Sequence, residues 1–139
     1  SENILFNQHG SILIKDFELQ PIKVGEQLRL DNIFFENDAY VLKDASSSEL
    51  NKIIYFMESN PFMIIEIGGH TDNIGSFDYN VNLSDQRAQE VKKALVERGM
   101  ASDRILTKGY GMSVPKNDNK SQEKRSVNRR TELTIISIE

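Results

Sequence analysis

The stretch from Ile64 to Arg87, IIEIGGHTDNIGSFDYNVNLSDQR, constrains this chain more than any other. It opens as an apolar strand that breaks at Gly68-Gly69 and delivers His70, Thr71 and Asp72. A loop of Asn, Gly, Ser and Asp follows, and then a helix whose first turn carries Arg87. Strand end, polar loop and helix start together are a common way for an α/β fold to hold a small ligand. An acid on one lip and a base on the other suit a ligand that bears both charges.

The rest of the chain arranges itself around that stretch. Residues 1–24 read as an appended β segment: Ile4-Leu5-Phe6 and Ile12-Leu13-Ile14 flank a Gly-containing turn as a hairpin would. Phe17, Leu19, Ile22 and Val24 continue an extended pattern interrupted by Pro21, and Gly25 marks the boundary of the main domain, 25–139. Leu28 and Leu30 alternate with polar neighbours before the continuous Ile33-Phe34-Phe35, which predicts a strand that starts half-buried and ends fully buried. Ser46-x-x-Glu49 has the spacing of a capping box, and Leu50, Ile53, Ile54 and Met57 follow at helical intervals. Asn60-Pro61 closes that helix, and Phe62–Ile67 predicts a second strand, apolar enough to be covered on both faces.

The spacing predicts a second helix with Ser84 as N-cap, an apolar stripe of Ala88, Val91 and Leu95, and Gly99 at its C-terminal end. Ile105–Tyr110 reads as a third strand, residues 113–128 as a polar loop with a helical turn around 121–126, and Thr131–Ile138 as the closing strand. The order β-α-β-α-β-loop-β gives a two-layer α/β (α+β) sandwich: a mixed sheet with both helices on one face.

Composition bounds the function. The 139 residues are 38% hydrophobic and 27% charged, an ordinary globular balance with enough chain for a core. A formal net charge of −4 argues against nucleic acid as the main partner. No apolar run is long enough to span a bilayer as a helix. The absence of cysteine excludes disulfides and thiolate metal sites. Ser1 in place of Met, without a targeting segment, is what a piece excised from a longer protein would show.

Several chemistries are open to the central residues. Arg87 would stand at N3 of its helix, where a cation opposes the helix dipole at a cost of about 0.3–1 kcal/mol. It reads either as a surface arginine or, opposite a carboxylate, as a fork for a ligand carboxylate. Asp72 reads as a turn former or as the acceptor for an ammonium group. His70 and Asp72 could share a face and imitate two metal ligands of a metal- or water-dependent hydrolase. No third ligand accompanies them, and a histidine donating a structural hydrogen bond weighs more. Glu66 and Asp72 make a poorly supported glycosidase pair. The run Lys124, Arg125, Arg129, Arg130 reads as a solvated face, with Asn128-Arg129-Arg130 placed to turn an arginine back toward a buried carboxylate.

Gly69-His70-Thr71-Asp72, Tyr79-Asn80, Leu83-Ser84, Arg87-Ala88, Gly109-Tyr110-Gly111 and Asn128-Arg129-Arg130, in this order, resemble the OmpA-like C-terminal domain. That family includes outer-membrane protein A, the peptidoglycan-associated lipoprotein and flagellar stator periplasmic domains. The resemblance covers about residues 26–138. It implies non-catalytic binding of peptidoglycan through the diaminopimelate of the stem peptide, with no cofactor and no metal. The parent would then be an outer-membrane or envelope-associated protein, with this domain in the periplasm of a Gram-negative cell. It further implies that Asp72 and Arg87 grip the zwitterionic end of the ligand, with contacts from Thr71, Asn80 and the segment Asn37, Asp38, Ala39. His70, Asn128, Arg129 and Arg130 are the implied structural support. A third possibility is an interaction domain that keeps the fold without the ligand.

Overall fold

The computed structural model describes residues 4–6, 12–14, 23–31, 33–35, 41–116 and 118–139. In chain order the elements are β1 (Ile4–Phe6), β2 (Ile12–Ile14), β3 (Gln27–Arg29), α1 (Ser47–Glu58), β4 (Ile64–His70), α2 (Phe77–Glu97), β5 (Ile105–Gly111), α3 (Gln122–Asn128) and β6 (Arg130–Ser137). β1 and β2 pair antiparallel, Ile4 opposite Ile14. The extended pattern read at Phe17, Leu19 and Ile22 falls outside the described residues.

The main sheet has the order β3-β6-β4-β5. β4 runs parallel to β5 and antiparallel to β6, so the sheet is mixed. Leu50, Ile53, Phe56 and Met57 of α1 join Ala88, Val91 and Leu95 of α2 in one core cluster with Ile65, Ile67, Ile105, Leu133 and Ile135 of the strands. Both helices therefore cover the same face. The order β-α-β-α-β-α-β differs from the expected one only in that α3 occupies the polar segment before β6.

Several local expectations are corrected. The strand expected to run through Ile33-Phe34-Phe35 ends at Arg29, and Phe35 makes only an isolated bridge to Leu42. The Ser46 hydroxyl explains part of this: it accepts from Phe34 N (2.8 Å) and donates to Phe34 O (3.1 Å), so Ser46 builds no capping box. β4 begins at Ile64, because Asn60–Met63 is a turn closed by Met63 N to Asn60 O at 3.0 Å, leaving Phe62 exposed. Arg104 holds that turn by donating to the carbonyls of Met57, Asn60 and Met63.

β4 is not covered by helices on both faces. Its inner face is Ile65, Ile67 and Gly69, and its outer face carries Glu66, Gly68 and His70 under polar side chains of β5 and β6. Finally, α2 starts at Phe77 with Ser76 as N-cap, whose hydroxyl accepts from Tyr79 N at 3.1 Å. Ser84 lies inside the helix, its hydroxyl donating to Val81 O and accepting from Gly111 N at 2.9 Å.

That last contact sets the helix against the sheet. A Cβ at Gly69 would lie 2.3 Å from Ser84 O, and one at Gly109 2.4 Å from Asp85 N. Only hydrogen at these two positions lets α2 approach so closely. The side chains of α2 are thereby fixed relative to the C-terminal ends of β4 and β5.

Candidate functional site

At the C-terminal end of β4 the chain leaves the sheet through Thr71 and Asp72, both buried. Thr71 N donates to Gly111 O at 2.8 Å, and its hydroxyl donates to Asp72 O at 2.9 Å. Asp72 Oδ1 accepts from Ile74 N at 2.9 Å, forming a turn. Its Oδ2 takes Arg129 Nη1 at 2.5 Å. The aspartate is thus a turn former and an ion-pair partner together, and each carboxylate oxygen retains acceptor capacity for another donor.

Asn80, in the first turns of α2, is buried and donates from Nδ2 to Ile74 O at 2.9 Å, tying the loop to the helix. Asn80, Leu83 and Arg87 recur at helical spacing and line one wall of a cavity of about 420 Å³. Thr71, Asp72 and Ile74 line another wall, and Gln122, Arg125 and Arg129 a third. Asp72, Arg87, Thr71 and Asn80 therefore meet at one cavity. Arg87 does so from the third turn of α2, not from the helix start, so the expected dipole cost does not arise.

Arg87 and Arg129 also border an adjoining cavity of about 400 Å³, lined further by Phe35, His70 and Arg130. The Arg87 guanidinium carbon sits 5.0 Å from the Phe35 ring centroid, a cation–π contact. Asn37, Asp38 and Ala39 lie outside the described residues.

Asp72 lines the first cavity and His70 the adjoining one. Among the described residues no group of three His, Asp or Glu could hold a metal ion. Glu66 accepts from the Tyr110 hydroxyl at 2.6 Å. Burial and that bond push the Tyr110 hydroxyl up to about 12.

His70 Nδ1 is buried without a hydrogen-bond partner among the described residues. Its ring stacks parallel on Tyr110, centroids 4.8 Å apart. Burial, the Arg130 charge and Lys116 lower its pKa from 6.5 to about 4 against the opposing pull of Glu132. The imidazole is neutral at physiological pH, which suits a packing role.

The three residues before β6 divide their work. Asn128 is wholly buried, its Oδ1 accepting from Lys116 N and its Nδ2 donating to Asn119 Oδ1 at 2.7 Å. Arg130 pairs with the buried Glu132 and donates to the carbonyls of Asn128 and Val114. Burial alone would raise the Glu132 pKa, but the bond and charge of Arg130 and the nearby Lys116 outweigh it and hold it low. Arg129 reaches the cavity itself. Sequence reasoning missed Arg125 as a lining residue; its spacing four residues before Arg129, behind Ser121 as N-cap, was the available signal.

Comparison with known proteins places this geometry. The sequence profile of the OmpA family matches residues 34–129. Outer membrane porin F of Pseudomonas fluorescens is 39% identical over 115 residues, covering 83% of this chain and 35% of the porin. Peptidoglycan-binding protein ArfA of Mycobacterium bovis is 40% identical over 103 residues, covering 74% of this chain and 32% of that protein. The chain thus spans about a third of the length of these two relatives. The crystal structure of the peptidoglycan-associated lipoprotein from Burkholderia pseudomallei superposes with a TM-score of 0.68 at 27% identity, covering 74% of this chain and 87% of that one. With the profile match extending over more than half of its length, this chain belongs to the OmpA family.

Proposed function

We propose that the chain binds peptidoglycan non-covalently by holding the zwitterionic head of the diaminopimelate in the stem peptide, and so anchors an envelope protein to the cell wall from the periplasm. One observation carries this reading: Asp72 and Arg87, from a strand end and a facing helix, line the same cavity. Diaminopimelate carries an ammonium and a carboxylate on one carbon. Asp72 accepts from the first, Arg87 takes the second through its planar fork, and Asn80 and Thr71 add polar contacts. Arg129, already on Asp72, keeps that carboxylate aimed. The segment Asn37, Asp38, Ala39 follows Phe35, whose ring lies under Arg87, and belongs to the same proposed shell. No proton is transferred, so the reading is binding and not catalysis. The names of ArfA and of the lipoprotein support the ligand class.

Calorimetry with a diaminopimelate-containing stem peptide tests it. Asp72→Ala and Arg87→Ala each weaken binding by about 2–5 kcal/mol, since truncating one partner leaves the other charge unmatched. The two losses are non-additive, because both contacts position one rigid group. Arg87→Lys recovers only part. Unchanged affinity in both single variants, with the fold intact, refutes the site.

A further inference from the structure

The cavity has an apolar flank that a charged head group does not use. Ile74, Tyr79 and Leu83 supply it, while the other described lining residues are polar or charged. Tyr79 and Leu83 stand four residues apart on α2 and so are neighbours on its surface. Ile74 reaches the same cavity from the loop after β4. An ammonium and a carboxylate gain nothing from hydrocarbon, so this flank suits a part of the ligand beyond the zwitterion.

Ile74 is the telling member. Its side chain is 62% exposed, yet two residues of the site pin its backbone. Its N–H donates to Asp72 Oδ1 and its carbonyl accepts from Asn80 Nδ2, both at 2.9 Å. Gly75, at φ 94°, brings the loop against the Tyr79 ring, where a Cβ would lie 3.4 Å from Cδ1. A branched apolar side chain is thereby held at the lip of the cavity, beside Asp72, with little backbone freedom left to lose on binding.

We infer that Ile74, with Tyr79 and Leu83, receives the methylene chain that joins the zwitterion to the rest of the ligand. Resting on the peptidoglycan reading above, this makes Ile74 a specificity-determining residue. Diaminopimelate separates its two amino-acid carbons by three methylenes. With the ammonium on Asp72, whose carboxylate already holds the Ile74 N–H, that chain starts beside the Ile74 side chain. The domain then prefers a zwitterion carried on hydrocarbon to the same zwitterion carried on little or nothing.

Zwitterions of increasing chain length decide this: glycine, D-alanine and D-norvaline, titrated into the full chain and followed by NMR chemical shifts, with a diaminopimelate stem peptide alongside. The wild type gains about twofold in affinity per side-chain carbon, as for a half-covered methylene, so D-norvaline binds about eightfold tighter than glycine. Ile74→Ser cuts that ratio to about threefold or less, and Ile74→Leu keeps most of it. A general loosening of the fold weakens every member alike and leaves the ratio unchanged, so the ratio separates contact from mere support. Equal wild-type affinities for glycine and D-norvaline, or a ratio intact in Ile74→Ser, overturns this assignment while leaving the proposed function standing. So does a wild type that binds the stem peptide but not D-norvaline. A wild type that binds neither the stem peptide nor any of the three zwitterions overturns both.

Discussion

The two faces of the main sheet close off their contents by different means. On the helix side of β4 and β6, Ile65, Ile67, Leu133 and Ile135 are at most 1% exposed, packed by shape against α1 and α2. On the other side the same strands present Glu66, His70, Arg130 and Glu132, joined by Tyr110 of β5. There burial at the Asp72 end is nearly as deep, 5–7% exposure for His70, Arg130 and Glu132, yet directed bonds and a ring stack do the closing. The inner face is held by contacts indifferent to pH; the outer face is held by charges that pH can change. The candidate site lies at the seam, taking Asp72 from the strand and Arg87 from the helix.

The difference can be tested from the inner face outward. Gly109→Val places carbon against the backbone of Asp85 and forces α2 off the sheet. We expect a loss of at least about 4 kcal/mol, at the extreme of single substitutions, read from the urea midpoint. Loss of stem-peptide binding should accompany it, because Asn80 and Arg87 ride on the same helix. A midpoint close to that of the wild type would mean that the helix does not press on the strand there.

On the outer face, Arg130→Met leaves the buried Glu132 with Lys116, at 3.8 Å, as its remaining ion-pair partner among the described residues. About 3–4 kcal/mol should be lost, and pairing it with Glu132→Met should restore much of that, since the cost is an unmatched charge and not a missing volume. A double variant as unstable as the single would assign the cost to packing and erase the distinction between the faces.

The pH dependence of the outer face follows from His70. Its folded value of about 4 lies below the unfolded 6.5, so between these values the unfolded chain binds the extra proton. Stability is complete above pH 6.5 and falls as pH drops through this window, by up to about 3 kcal/mol. His70→Phe should flatten that part of the stability–pH curve, while the fall due to Glu132 persists at lower pH. Parallel curves for the two proteins would remove His70 from the account.

The smallest effect is expected from deleting residues 1–24, which we propose are dispensable for the domain. β1 and β2 pair with each other, and Gly25, whose N–H donates to Ile135 O at 2.7 Å, is retained. Stability should change by less than about 0.5 kcal/mol, with the His70 dependence intact. Non-cooperative unfolding of the truncated chain would show that the segment is part of the core.

Much of this architecture could be read in the sequence, because its determinants are local. The apolar stripe of Ala88, Val91 and Leu95 located α2, and the apolar run up to Ile67 located β4, although the strand does not break at Gly68-Gly69 but continues through them to His70. The failures share a cause. Phe77 and Tyr79 are exposed, so the first turns of α2 carry little apolar periodicity, and Ser84 resembled a cap while serving as a contact between helix and sheet. Ser46 had the spacing of a capping box, but its hydroxyl is used by a backbone segment twelve residues earlier. The ion pair between Arg129 and Asp72 spans 57 positions and exists only once the sheet brings the start of β6 beside the end of β4. Periodicity reports which side of an element is buried, and it is silent about which distant partner a polar atom meets.

The antiparallel pairing of β3 with β6 has a mechanical consequence. The chain enters the sheet at Gly25 beside Ile135, while Asp72 lies past the opposite end of β4, about 20 Å away along the strands. A tug between residues preceding Gly25 and a molecule gripped at Asp72 therefore runs along the strand axes. Gln27, Leu28 and Arg29 would have to slide past Thr134, Leu133 and Glu132 in concert, sharing the strain in shear, where a pull across the strands would part them one rung at a time.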